Sequence, residues 1–121
     1  MSDYAKILGK IGEDAAADFL RARGVAIKAR NFRLRTCEID IIGEYQGTIL
    51  FVEVKTRQNA RYGRAGAAVD WRKQQKIIAA AQTYLQQNNL ADRPCRFDVL
   101  EVYPQNDGTF RIVPLAGAFE A

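Results

Sequence analysis

Residues 37–57 run CEIDIIGEYQGTILFVEVKTR, two stretches rich in Ile, Leu, Phe and Val on either side of Tyr45-Gln46-Gly47-Thr48. Apolar β-formers flanking a short Gly-containing link predict a strand–turn–strand hairpin. With Gln46-Gly47 as a two-residue turn, Tyr45 faces Thr48, Asp40 faces Glu53 and Glu38 faces Lys55. Alternation along each strand then puts Asp40, Glu53 and Lys55 on one face, and Ile39, Ile41, Val52 and Val54 on the other. Like charges set opposite each other destabilise a sheet. Two carboxylates about 5 Å apart repel by roughly 3 kcal/mol at an effective dielectric near 20. A divalent cation between them turns that cost into a binding site, and oxygen ligands without imidazole suit Mg2+ or Mn2+ rather than zinc or copper. Lys55 would then hold its ammonium over the same spot, where it can support an attacking water or charge on a phosphoryl oxygen. The same spacing also accommodates a plain Asp40–Lys55 or Glu38–Lys55 ion pair at a solvated edge.

Composition narrows the chemistry around this hairpin. The 121 residues suit one domain, 1–121, with a core of its own. No apolar run approaches the ~18 residues that span a bilayer, and Lys6, Lys10 and Glu13 make the start unlike a signal peptide, so the expected address is the cytoplasm with no membrane partner. Two cysteines, Cys37 and Cys95, without C-x-x-C spacing, and no histidine at all, exclude a zinc site, a Ser-His-Asp triad and a Cys-His nucleophile in their usual forms. The charge is uneven. Residues 1–76 carry 15 Lys/Arg against 9 Asp/Glu, whereas residues 77–121 carry 3 against 5. Arg30, Arg33 and Arg35 precede the hairpin, and Arg57, Arg61, Arg64, Arg72, Lys73 and Lys76 follow it. A basic flank around paired carboxylates fits a polyanionic partner, with a solvated basic surface as the bland counterpart.

The remaining elements follow from periodicity. Residues 2–23 read as a helix capped by Ser2 or Asp3 and closed by Gly24, with Tyr4, Leu8, Ile11, Ala15 and Phe19 as its apolar stripe. Gly9 and Gly12 are poor helix formers, so they mark either a close backbone approach or a break. Glu13, among small residues, either reaches inward toward a site or faces solvent. Val25–Arg35 reads as a strand anchored by Ile27 and Phe32, with a bend at Asn31. Residues 58–66 (QNARYGRAG) read as a connecting loop. Asp70 caps a second helix from Trp71 to Asn88 or Asn89, with Ile77, Ile78, Ala81, Tyr84 and Leu85 inward and Lys73 extending the stripe toward the helix start. Cys95–Tyr103 reads as a strand, Phe110–Val113 as a short one, and Gly117 onward as a loose tail. The order is αβββαββ. A helix between the third and fourth strands supplies the crossover for parallel pairing, so the expected fold class is α/β, a mixed β-sheet with flanking helices.

Asp40 followed by Glu53-Val54-Lys55 on the next strand resembles the PD-(D/E)-x-K nuclease signature of the restriction-endonuclease-like fold. The longer set is more specific: Gly12-Glu13 with Ala16 and Leu20, Asn31, Glu38-Ile39-Asp40-Ile41-Ile42, Phe51 to Arg57, Lys73, Ala81, Tyr84-Leu85 and Arg96-Phe97-Asp98. Together these resemble the YraN-like family of predicted bacterial endonucleases, distantly similar to archaeal Holliday-junction resolvases. The resemblance implies that Asp40 and Glu53 ligate Mg2+ (or Mn2+) with the Val54 carbonyl, that Lys55 positions the water, and that Glu13 reaches the site from the first helix. It further implies Lys73 at the mouth, while the basic flank puts Arg57, Arg61 and Arg64 toward nucleic acid, expected to be DNA, with a branched or structured form in view. The resolvase likeness brings a homodimer into consideration. Cys37 stands where the family usually has Gly, Ile39 replaces the Pro of the broader signature, and the second helix lacks a Gln-x-x-x-Tyr element. A non-catalytic nucleic-acid-binding module on the same fold is the rival from another class, and a structural ion-pair cluster is a third.

Overall fold

The computed structural model describes residues 3–57 and 69–120. The elements run α1 (Asp3–Ala22), β1 (Ala26–Arg33), β2 (Glu38–Tyr45), β3 (Thr48–Thr56), α2 (Trp71–Gln87), β4 (Cys95–Pro104) and β5 (Phe110–Phe119). They build one five-stranded mixed sheet in the order β1-β2-β3-β4-β5. All neighbours are antiparallel except β3 and β4, which α2 connects and which run parallel. The expected element order and the mixed character of the sheet are both realised.

The hairpin register is the one that the turn predicts. Tyr45 pairs with Thr48, Ile42 with Phe51 and Ile41 with Val52. Gln46 and Gly47 have φ of 51° and 85°, the left-handed pair that lets a two-residue turn follow the twist of its strands. The two helices cover opposite faces. Ile42, Ile49, Phe51, Phe97 and Val99 pack with Ile77, Ala81 and Tyr84 of α2, while Ile41, Leu50, Val52, Leu100 and Val102 pack with Ala16, Ala17 and Leu20 of α1.

Three expectations need correction. First, Ile39 does not share a face with Ile41 and Val52; it packs in the α2 layer with Ile42, three residues away. Alternation breaks because β1 and β2 bend together. Asn31 takes a left-handed φ of 54° between the pairs Arg30↔Ile41 and Phe32↔Ile39, so the bend expected at Asn31 is real and carries Asp40 with it. Second, the buried stripe of α1 is not Tyr4–Leu8–Ile11–Ala15–Phe19. Tyr4 is 65% exposed and Ile11 44%, and the helix seats through Gly12, Ala16, Ala17 and Leu20. A Cβ on Gly12 would stand 2.1 Å from Thr56 Oγ1, so the small-residue face wins by letting helix and strand backbones approach. Gly9 meets nothing within 4 Å, and α1 continues unbroken through both glycines. Third, the last strand runs on to Phe119 rather than stopping at Val113, because Phe119 stacks on Phe97 with ring centroids 5.0 Å apart. The 58–66 loop, with Arg61 and Arg64, lies outside the described residues.

Candidate active site

Where β2 and β3 part beyond Ile41 and Val52, the Asp40 side chain fills the opening. Its Oδ2 accepts a hydrogen bond from Val54 N at 2.8 Å, a ladder bond made by a carboxyl group. Glu53, one step along β3 from Val52, is 7% exposed. The two carboxyl groups lie within hydrogen-bonding reach of each other, so the opposition expected across the hairpin is present. They open onto a cleft of about 570 Å³ that Glu13 from α1 and Glu38 from β2 also line. Arg72, Lys73 and Lys76, on the first turns of α2, supply its positive wall.

The electrostatics are those of a crowded pair. Burial raises the Asp40 pKa to about 9, helped by the hydrogen bond to Glu53, by the Glu53 charge and, more distantly, by Glu13, and opposed by the Val54 N–H. Burial also works against ionised Glu53, but the Asp40 hydrogen bond and the Lys73 and Lys55 ammoniums outweigh it and hold its pKa below the ordinary range. Burial and the neighbouring charges thus favour protonated Asp40 beside ionised Glu53. Burial depresses the Lys55 pKa, and the neighbouring Lys73 ammonium adds to that. For Lys73 burial pulls the same way, but contact with Glu53 overrides it and the pKa rises.

Lys73 Nζ stands 2.6 Å from Glu53 Oε2. The contact is a charge-assisted pair between an ammonium and a buried carboxylate oxygen. Lysine at the mouth of the site, implied by resemblance, is thus placed on Glu53 itself and does not snorkel at the core edge. Neither ion pair weighed for Lys55 forms. Glu38 instead takes Arg33, whose Nη2 donates to Oε2 at 3.0 Å, and among the described residues no carboxylate lies within 4.0 Å of the Lys55 ammonium. Val54 enters the site through its N–H on Asp40.

Glu13 faces inward, and burial followed by the Glu38 charge raises its pKa against the pull of Arg30. Its orienting partner is Asn31, with the amide turned as the surrounding acceptors require. Asn31 Nδ2 then donates to Glu13 Oε1 at 3.2 Å and to Glu38 Oε1 at 2.8 Å, tying α1 to β2 across the bend. Gly12, immediately before Glu13, brings this turn of α1 down onto β3. Sequence reasoning read Asn31 as a bend and weighed Glu38 as a partner of Lys55, and it gave neither residue a role toward Glu13; the left-handed tendency of Asn was the available signal. Arg57 is drawn away from the cleft. Its Nε donates to Glu101 Oε2 at 3.1 Å, and Glu101 is fully buried, so much of this arginine serves the fold.

All candidate donors are oxygen atoms. Among the described residues, no three acidic, His or Cys groups converge tightly enough to hold an ion as they stand. Asp40 and Glu53 are the pair in contact, with Glu13 and Glu38 further round the cleft. No helix among the described residues is long and apolar enough to cross a membrane.

The family model described as "Uncharacterised protein family UPF0102" matches residues 12–102, which include all of these groups. A UPF0102 protein of Symbiobacterium thermophilum is 47% identical over 114 residues, 94% of this chain and 97% of that protein. Another, from Desulforapulum autotrophicum, is 42% identical over 120 residues, 99% and 98% of the two chains. A third, from Caldanaerobacter subterraneus, is 44% identical over 98 residues, 81% and 80%. Their names state a family and no activity.

Proposed function

Because the chain belongs to the uncharacterised protein family UPF0102, the YraN-like family that its motifs resemble, we propose its function from the cleft: a Mg2+- or Mn2+-dependent nuclease on a restriction-endonuclease-like scaffold, acting on DNA. The observation that carries the reading is the contact of Asp40 with the buried Glu53 in a cation-walled cleft. Burial, with the adjacent Glu53 adding to it, raises the Asp40 pKa to about 9, and carboxyls shifted this far by burial and a charged neighbour in a cleft are candidates for functional sites. The donor set fits a hard cation. Asp40 and Glu53 would hold it, with Glu13 and Glu38 further round the same cleft. A divalent cation there would supply Lewis acidity toward a phosphoryl oxygen and would make a bound water easier to deprotonate.

The chain's own groups do the rest. Lys55, two residues beyond Glu53 on β3 and next to the Lys73 ammonium, would support the attacking water or charge on a phosphoryl oxygen. Arg72 and Lys76 bind phosphate at the rim. Lys73 neutralises Glu53 while the pair is free of a cation. Asn31 keeps Glu13 and Glu38 aimed inward.

The Lys73–Glu53 ion pair favours a second reading, in which the cluster is structural and the protein only binds nucleic acid. A cleavage panel decides between them: duplex, single-stranded, flapped and four-way-junction DNA, together with RNA, each with Mg2+, Mn2+ or EDTA. The nuclease reading expects metal-dependent cleavage by wild type and none by Glu53→Gln or Lys55→Ala. Cleavage that survives Glu53→Gln, once contaminating nucleases are excluded, defeats the mechanism; binding without cleavage of any substrate selects the second reading.

A further inference from the structure

Trp71 is the chain's one tryptophan. It opens α2 and is 73% exposed, although tryptophan is among the most buried side chains on average. Its surroundings separate it from an incidental surface residue. Asp70 before it and Arg72, Lys73 and Lys76 after it all line the cleft that holds Asp40 and Glu53. Arg72 and Lys76 are exposed, and no acidic residue lies within the first turn of α2 itself. The Asp70 carboxylate is spent on capping Lys73 N at 2.8 Å. A largely exposed indole thus sits in the chain between Asp70 and Arg72, two residues that line the cleft.

We propose that Trp71 is a stacking platform for an unpaired base, with Arg72 and Lys76 holding the adjoining phosphates, so that the preferred partner is a nucleic acid with a single-stranded stretch at the cleft rather than an intact duplex. The chemistry matches. An aromatic face beside a positive track is what single strands require, because every unpaired base offers a π-face and every linkage a charge. A base inside a duplex is already stacked and cannot reach an indole at the surface. The identity of the partner rests on the nuclease reading above, but stacking can be measured without catalysis.

A single tryptophan makes the test direct. In EDTA, Trp71 emission is excited selectively and followed while three probes of equal length are added: a single-stranded oligonucleotide, the matching duplex, and an abasic strand that keeps the phosphates and lacks the bases. The single strand should quench the emission strongly, and duplex and abasic strand little. Trp71→Ala should weaken single-strand binding by about fivefold to a hundredfold, the range that one base stack converts to, while Trp71→Phe restores most of it and the abasic affinity stays unchanged. Equal quenching by all three probes, or a Trp71→Ala protein that binds the single strand like wild type, overturns the proposal. No cleavage occurs in EDTA, so stacking without catalysis fails only the nuclease reading, and catalysis without stacking fails only this one.

Discussion

Replacing Asp40 with Asn should stabilise the metal-free protein, and increasingly so as the pH rises. Asn keeps both roles of the protonated acid: its carbonyl can accept from Val54 N, which now donates to Asp40 at 2.8 Å, and its amide can donate to Glu53. What it cannot do is ionise. The Asp40 pKa is raised from 3.8 to about 9, so across that interval the folded chain holds a proton that the unfolded chain has released. The stability belonging to this proton is complete below the unfolded value and is lost as pH rises toward the folded one. Each pH unit costs up to about 1.4 kcal/mol for one proton, so wild type should lose up to about 2.7 kcal/mol relative to Asp40→Asn between about pH 6 and about pH 8. For a chain of this size that is roughly 10 °C in melting temperature. Glu53 does not blur the window, since its pKa is lowered and its contribution is lost only as pH falls below the ordinary carboxylate range. Thermal melts of both proteins in EDTA at several pH values check this. Parallel stability curves would mean that Asp40 is ionised in the folded protein and that the two carboxyls share no proton.

Other outcomes follow from the same geometry. Arg57→Ala should cost stability, about 3 kcal/mol in urea titration, because it strands the fully buried Glu101 carboxylate without the Nε now 3.1 Å away; a protein of unchanged stability that merely binds nucleic acid less tightly would return Arg57 to the phosphate-contact role its sequence position suggests. Gly12→Ala should destabilise by about 1–3 kcal/mol through overpacking, since the new Cβ would meet Thr56 Oγ1 at 2.1 Å. Removing the Thr56 hydroxyl in a Gly12→Ala/Thr56→Ala protein should recover part of that loss, and strictly additive effects would show that the two residues do not touch.

What was legible in the sequence is what local chemistry dictates. Gln46-Gly47 sets the hairpin register as far as Ile41 and Val52, and Asp40 and Glu53 follow one step beyond, where the strands part. Asp70 and the Ile77–Ala81–Tyr84 spacing are enough for α2, and a helix between β3 and β4 is enough for their parallel pairing. The misses are long-range. Small residues on α1 won the sheet over the larger Tyr4 and Ile11 because backbone approach at Gly12 depends on where Thr56 lies, 44 positions away in the chain. Ile39 changed face because β1 bends at Asn31, and strict alternation contains no term for a neighbour's bend. The β5 tail is held by Phe119 stacking on Phe97, a contact that no local pattern encodes. Lys73 was readable as an inward lysine, but its partner depended on which face of β3 the helix covers. The Arg57–Glu101 pair is hidden for the same reason: its members are adjacent only after β3 and β4 lie side by side.

The most direct measurement is the melting temperature of wild type and Glu53→Gln in EDTA and then in saturating Mn2+. A cation held by Asp40 and Glu53 binds the folded chain and not the unfolded one, so wild type should gain RT ln(1 + [L]/Kd), about 2.7 kcal/mol at a hundredfold excess over Kd. Glu53→Gln, with one oxygen donor neutralised, should gain much less. Wild type melting at the same temperature in EDTA and in Mn2+ would contradict the cation site and leave Asp40, Glu53 and Lys73 as a structural cluster.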